Sequence, residues 1–73
     1  MNHQEVTIRS FPVELFKVMQ IAGWVGSGGQ AKAIIADGMV LLNGTTETQK
    51  RKKCMAGDTI TFNDQSVVLA SEV

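Results

Sequence analysis

Residues 11–44, FPVELFKVMQIAGWVGSGGQAKAIIADGMVLLNG, decide the fold of this chain. Apolar residues in the first part of this stretch recur at helical spacing, and the pattern predicts a helix over about 11–22. Ser10 before Pro12 is typical of a helix start, because proline is tolerated in the first turn. Gly23 suits the left-handed conformation that closes a helix. The apolar residues that define this helix are Phe11, Leu15, Val18, Met19 and Ala22.

A second helix is predicted over about 28–37. Ser27 and Gln30 match a capping box, in which the serine hydroxyl accepts the Gln30 amide and the glutamine side chain reaches back. Gly38 ends the helical pattern. The residues predicted for its buried side are Ala31, Ile34 and Ile35. Two helices joined by a short turn therefore form the first half of the fold.

The second half of the chain changes to the period of strands. The segment 39–42 is apolar, and Asn43-Gly44 directly after it is the strongest short signal for a hairpin turn. Other segments of strand character are 5–9, 45–48, 59–62 and 66–69. We therefore predict an α+β fold, in which the two helices pack on a small, mostly antiparallel β-sheet.

The size and composition of the chain predict one small globular domain over residues 1–73, with loose ends at about 1–4 and 70–73. The single cysteine, Cys54, excludes a disulfide within the chain and offers no pair of thiols to a metal. It is either a small apolar strand residue or a thiol activated by Lys53. The start of the chain lacks the features of a signal peptide, and no apolar stretch approaches the roughly 20 residues of a membrane span. We predict a cytoplasmic protein.

Catalytic patterns are absent from the sequence. It contains no nucleophile with a supporting base, no cluster with metal-ligand spacing and no nucleotide-binding fingerprint. We therefore predict that the protein is not an enzyme and that it uses no cofactor and no metal.

Four of the seven basic residues stand side by side at Lys50, Arg51, Lys52 and Lys53, although the formal net charge is zero. A neutral protein that concentrates its cations in one place usually presents that place to an anionic partner. The alternative is a solvated loop that keeps the protein soluble. In a strand these side chains would alternate between two faces, whereas in a loop all four could cover one patch.

The predicted second helix begins with Gly28 and Gly29, which cost roughly 1 kcal/mol each relative to alanine. Without side chains there, a phosphate could approach the unpaired amides at the positive end of the helix, and Lys32 could add a charge. Alternatively, the glycines let the turn pack tightly against Trp24 or the first helix. Trp24 is itself either a core residue or a platform on which a base stacks.

An ordered set of residues in this stretch resembles the S-four RNA-binding domain, named for a small-subunit ribosomal protein. The resemblance spans about residues 13–62, and Gly57-Asp58-x-Ile60 looks like the closing turn and strand of that domain. It is closest to the small, free-standing bacterial members, which carry no catalytic domain. The pattern is Leu15-x-x-x-Met19-x-x-x-Gly23-x-x-x-Ser27-x-x-x-Ala31-x-x-x-Ile35-x-x-Gly38-x-Val40-x-x-Asn43-Gly44.

The resemblance implies an αL motif that grips structured RNA, of the ribosomal or transfer RNA class, and an association with ribosomal particles. Many family members carry an arginine or lysine at the start of the second helix, where this chain has Gly28, Gly29 and Gln30. Because of this departure, the RNA contacts are expected mainly from backbone amides, Lys32 and the basic residues. The RNA-binding residues that the resemblance implies are Ser27, Gly28, Gly29, Gln30, Lys32, Asn43, Gln49, Lys50, Arg51, Lys52 and Lys53.

Our leading hypothesis is a monomeric, non-catalytic RNA-binding protein. An adaptor that docks on an acidic protein of the ribosome or the RNA-processing machinery would use the same cations. A DNA-binding helix-turn-helix is disfavoured, because residues 31–37 offer almost nothing to read base edges. A subunit whose catalysis comes from another chain is the fourth alternative. The RNA hypothesis predicts that residues 27–30 and 50–53 lie on the same face.

Overall fold

The structure, a computed structural model, describes residues 2–72. Within these residues, two strands precede two helices, and five further strands follow. The elements are β1 (Asn2–Ile8), β2 (Val13–Glu14), α1 (Leu15–Ile21), α2 (Gly28–Ala36), β3 (Val40–Leu42), β4 (Thr45–Thr46), β5 (Lys53–Cys54), β6 (Thr59–Phe62) and β7 (Gln65–Ser71).

The seven strands of residues 2–72 form two sheets. The larger has five strands in the order β1-β7-β6-β3-β4, and the smaller pairs β2 with β5. Only β1 and β7 are parallel among the strand pairs of residues 2–72. The helices pack on this mostly antiparallel framework, which confirms the predicted α+β fold with its two-helix motif.

The predicted hairpin turn after β3 is confirmed. Asn43 and Gly44 have φ angles of 53° and 86°, and Leu42 pairs with Thr45 across the turn. Two successive positive φ angles define the turn type whose twist matches paired strands, and asparagine followed by glycine adopts it at the lowest cost. The turn therefore fixes where β4 begins.

The predicted start of the first helix is wrong. The helix begins at Leu15 rather than near residue 11, and Ser10 does not cap it. Val13 and Glu14 are extended instead, because they pair with Cys54 and Lys53 in the small sheet. The helical spacing of the apolar residues continues across this strand, so the sequence pattern did not show the boundary.

The ends of the chain, predicted to be loose at about 1–4 and 70–73, take part in the large sheet within the described residues, and their looseness stays a prediction. Residues 2–8 pair in parallel with residues 65–71, so positions 2–4 and 70–71 are part of the ladder. The ladder satisfies the backbone groups on the facing sides of these strands, which holds both ends in the sheet. Residues 1 and 73 lie outside the described residues.

The core lies between the helices and the inner face of the large sheet. Leu15, Val18 and Met19 of α1 are fully buried, and Ala31 and Ile35 of α2 pack with them. The sheet adds Val40, Ile60, Val67 and Leu69. Neither helix in residues 2–72 is long and apolar enough to cross a membrane.

Trp24 packs at the margin of this core. Its indole is half-buried, and its ring centroid lies 5.8 Å from that of Phe62 in a tilted arrangement. Tilted aromatic pairs at this separation are favourable. The structure therefore uses Trp24 for packing.

Candidate nucleic-acid interface

The basic segment, residues 50–53, is held against the start of α1 by its own backbone. The Leu15 amide donates to the Lys52 carbonyl at 2.9 Å, and the Phe16 amide donates to the Lys50 carbonyl at 3.1 Å. The first amides of a helix lack partners within the helix, and Glu14 makes no side-chain capping bond. The basic segment therefore caps α1, and this capping fixes its backbone while its side chains remain exposed.

The α2 start, residues 27–30, forms the predicted capping box in modified form. The Ser27 hydroxyl accepts the Gln30 amide at 3.1 Å, as expected. The Gln30 side chain reaches back one residue further than predicted, and its Oε1 accepts the Gly26 amide at 3.1 Å. The amides of Gly28 and Gly29 have no acceptor within residues 2–72. Two donors thus stand unpaired at the positive end of the helix.

Neither glycine of the α2 start is required by packing. A Cβ on Gly29 would have no atom within 4 Å, and one on Gly28 would touch the Phe16 ring and the Gln20 side chain at 3.5 Å, an ordinary contact. The explanation that these glycines allow a tight turn against Trp24 or α1 is therefore not supported. Gly29 is exposed in open surroundings, whereas Gly28 lies beside the Phe16 ring.

Phe16 joins the α2 start to the basic segment. Lys32 Nζ lies 4.6 Å from the centroid of its ring, and Arg51 Cζ lies 5.7 Å away. Lys17 Nζ lies at 6.0 Å. The ring is almost buried, at 8% exposure, and attracts cations through its electron-rich face. The segments around residues 27–32 and 50–53 therefore meet on one face of the molecule, as predicted.

The cations of the whole chain are concentrated at this junction. Of the seven basic residues, three have side chains at the Phe16 ring, three belong to the basic segment whose backbone contacts β2 and the start of α1, and the seventh is Arg9. Arg9 pairs instead with Glu72, at 3.5 Å. We call the six the cationic surface: Lys17, Lys32, Lys50, Arg51, Lys52 and Lys53.

Glu14 is the acid that pairs with this surface. Its Oε2 lies 3.3 Å from Arg51 Nη1, and its Oε1 lies 3.9 Å from Lys17 Nζ. Within residues 2–72, Lys50, Lys52 and Lys53 form no ion pair. Their charges are therefore available to an external anion.

The Asn43 side chain is engaged in hydrogen bonds within the protein. Its Nδ2 donates to Asp58 Oδ1 at 3.1 Å, and its Oδ1 accepts the Thr59 amide at 2.9 Å. The other Asp58 oxygen accepts the Met55 amide at 2.8 Å. These bonds tie the hairpin turn to the chain that follows β5. A direct contact between Asn43 and RNA stays a prediction.

Gln49 shapes the turn that leads into the basic segment. Its amide donates to Glu47 Oε2 at 3.1 Å, and its carbonyl accepts the Lys52 amide at 3.1 Å. Lys50 and Arg51 occupy the turn itself, whereas Lys53 already belongs to β5. The basic segment is therefore partly loop and partly strand. The RNA contact of Gln49 also stays a prediction.

Sequence reasoning missed Phe16, Lys17 and Glu14 as parts of this site. Phe16 was not among the residues that defined the first helix, and its cation neighbours come from three separate segments. The pair between Glu14 and Lys17 has the i,i+3 spacing of neighbours on a helix surface, and this signal was visible in the sequence. Nothing local to Phe16 indicated its role.

Cys54 is a packed strand residue. It is fully buried, and this burial, together with the nearby charges of Asp58 and Glu47, raises the pKa of its thiol from the ordinary 9.0 to about 11. Its Sγ donates to the Lys52 carbonyl at 3.6 Å. The thiol is not activated by its basic neighbours. Among the described residues, no three side chains of His, Cys, Asp or Glu are placed to hold a metal.

Comparison with known proteins identifies the family of this arrangement. The family model described as S4 domain matches residues 6–70. The Escherichia coli protein named "Putative RNA-binding protein YbcJ" is 47% identical over 55 residues, which cover 75% of this chain and 79% of that protein. The Shigella flexneri protein named "Uncharacterized protein YbcJ" matches with the same identity and coverage.

A solved structure shares the fold. The solution structure of YbcJ from E. coli is described as revealing an αL motif involved in RNA binding. It matches with a TM-score of 0.70 and 39% identity, over 90% of this chain and 85% of that one. The chain therefore belongs to the S4 domain family, the S-four family that its sequence resembles.

Proposed function

We propose that this protein is a non-catalytic RNA-binding protein that holds structured RNA, of the ribosomal or transfer RNA class, on its cationic surface. One observation carries the proposal: Phe16 brings Lys32 and the α2 start together with Arg51 and the basic segment. The names of the YbcJ relatives support it. Ribosomal particles are included as partners, since they contain RNA of this class.

The charge distribution favours a polyanion that is bound through its backbone. The chain is neutral overall, so the cationic surface acts locally rather than through a global field. Lysines act as point charges, and Arg51 offers a planar fork to a phosphate. Phosphate contacts of this kind position a nucleic acid without reading its bases. Recognition would therefore follow the shape of the folded RNA.

Duplex DNA is a poorer match to the same surface. The exposed residues of α2 include Gly29, Gln30, Ala33 and Ala36, of which only Gln30 carries a polar side chain. The Gln30 Oε1 is already bonded to the Gly26 amide. A recognition helix needs side chains that reach base edges in the major groove, and this helix offers almost none.

We place the proposed function in the cytoplasm, with the protein acting as a monomer. The free, buried thiol of Cys54 suits a reducing compartment.

A salt titration tests the proposed function directly. Fluorescence anisotropy with a folded transfer RNA should give an affinity that falls with salt, at a logarithmic slope of about −3 to −4 for four neutralised phosphates. Duplex DNA should compete weakly with the transfer RNA for the protein. Polyglutamate, used as a substitute for an acidic protein partner, should also compete weakly. Competition by polyglutamate as strong as by RNA would favour the adaptor function, and equal competition by duplex DNA would refute RNA selectivity.

The α2 start provides a sharper prediction. Changing Gly29 to Ala should stabilise the protein by up to about 1 kcal/mol, because alanine is the better helix former and the added Cβ meets nothing within 4 Å. The same change should weaken RNA binding about ten-fold, since the methyl group obstructs a phosphate that accepts from the unpaired amides. Thermal unfolding and anisotropy measure the two effects.

The control for Gly29→Ala is Gly26→Ala. This position also has open space around an added Cβ, but its amide is already bonded to Gln30. RNA affinity should stay close to that of the unchanged protein. If Gly29→Ala stabilises the fold and leaves RNA affinity unchanged, the amides of the α2 start do not bind phosphate.

A further inference from the structure

We propose that Glu14 determines the selectivity of the cationic surface, because its carboxylate competes with loosely bound polyanions for Arg51 and Lys17. For RNA selectivity this inference rests on the proposed function. The competition itself concerns any polyanion and can be measured without RNA.

Glu14 lies inside the cationic surface and faces two of its cations. The carboxylate contacts Arg51 Nη1 at 3.3 Å through one oxygen and Lys17 Nζ at 3.9 Å through the other. Both cations also lie by the Phe16 ring. Apart from these two pairs, residues 2–72 contain one ion pair, between Arg9 and Glu72. Glu14 is thus the acid that neutralises part of this surface.

The backbone holds Glu14 in this place. It lies in β2, directly opposite Lys53 in the antiparallel pair with β5. The next residue, Leu15, is bonded through its amide to the Lys52 carbonyl. Glu14 makes no side-chain capping bond to α1, so both carboxylate oxygens face cations instead. The backbone therefore places this carboxylate beside the basic segment.

The competition acts unequally on different anions. Arg51 and Lys17 are largely exposed, and ion pairs at a protein surface are weak, so a phosphate in a fixed position can displace these pairs or share the cation. Arg51 donates to Glu14 through Nη1, and its guanidinium has further N–H donors that can bind a phosphate. A folded RNA presents its phosphates in fixed positions and can use these donors. A flexible single strand loses conformational entropy with each such contact. The carboxylate therefore weakens the binding of a single strand more than the binding of a folded RNA.

The test is the variant Glu14→Gln, which keeps the size of the side chain and removes its charge. Anisotropy titrations would use an oligouridylate and an RNA hairpin of equal length at several salt concentrations. We expect the oligouridylate to bind about five-fold more tightly at 0.1 M salt, with a slope steeper by about 0.7, which corresponds to one added phosphate contact. The hairpin should gain less, so the preference for folded RNA should fall. Equal gains for both RNAs would overturn the proposed selectivity.

Two matched variants separate this competition from a mere change of charge. Glu47→Gln also removes an acid close to the basic segment, but within residues 2–72 the Glu47 carboxylate is bonded to the Gln49 amide and to no cation. Glu72→Gln breaks an ion pair that involves Arg9 alone. Neither should reproduce the steeper slope. If either variant does, the effect of Glu14 is nonspecific charge.

A double variant tests whether the competition runs through Arg51. In an Arg51→Ala background, Glu14→Gln should raise oligouridylate affinity by much less than in the unchanged protein. A gain of the same size would overturn the role of Arg51.

Elution from a heparin column distinguishes failure of this inference from failure of RNA binding. Glu14→Gln should elute at higher salt than both the unchanged protein and Glu47→Gln, whatever the protein does with RNA. Elution at the same salt would overturn the competition. If the unchanged protein binds no RNA while Glu14→Gln shifts on heparin, the proposed function fails and the competition stands.

Discussion

Replacing Lys50, Arg51, Lys52 and Lys53 together by alanine should lower the affinity for structured RNA by about 10³-fold at 0.1 M salt. Each phosphate contact contributes roughly 0.7 to 0.9 to the logarithmic salt slope, so four lost contacts remove most of both affinity and slope. The fold should persist, because the backbone of the basic segment, rather than its side chains, caps α1. Anisotropy at several salt concentrations measures the loss, and circular dichroism checks the fold.

Two controls accompany this variant. Changing Lys50, Lys52 and Lys53 to Arg retains every charge, and the salt slope should be unchanged. Changing Arg9 to Ala removes the basic residue that lies outside the cationic surface, and it should have little effect. RNA binding by the fourfold alanine variant at the original affinity would exclude the basic segment as the binding site.

The largest effect on stability is expected at Phe16. Changing Phe16 to Ala removes a nearly buried ring and should lower the free energy of unfolding by about 3 kcal/mol. A domain of this size has about 4 to 11 kcal/mol in total, so the loss is a large share. RNA affinity should fall at the same time, because Lys32, Arg51 and Lys17 lose the aromatic ring that they all contact. Urea unfolding measures the first effect.

A milder change at the same position separates the two roles of the ring. Phe16→Leu keeps most of the apolar contact and removes the attraction for cations, worth about 0.5 to 1 kcal/mol per cation at an exposed site. We expect RNA affinity to fall several-fold with an unchanged salt slope, since the cations remain. Phe62→Leu is the matched control: its ring packs on Trp24 and contacts no cation within residues 2–72. A similar loss of affinity in both variants would mean that the loss reflects stability alone.

Features that depend on neighbouring residues were predictable from the sequence. The capping of α2 needs only Ser27 and Gln30, and the hairpin turn needs only Asn43-Gly44. Backbone preferences and short-range hydrogen bonds decide both features. The position of the cations was also visible, because four of them are consecutive.

Features that depend on distant residues were not predictable in the same way. The start of α1 is determined by the pairing of Val13 and Glu14 with β5, which lies about forty positions later in the chain. No local sequence pattern indicates that pairing. The role of Phe16 likewise requires three segments to converge. Local signals therefore indicated the two segments of the candidate site, and tertiary contacts determine what joins them.

The parallel pairing of residues 2–8 with residues 65–71 has a consequence for how the domain forms. Contacts between positions so far apart close a long loop, and such contacts slow folding relative to local ones. The helices and the hairpin can form while the chain is still growing, whereas the first strand must wait for the last one. During synthesis, β1 therefore lacks its partner strand until residues 65–71 are available for pairing.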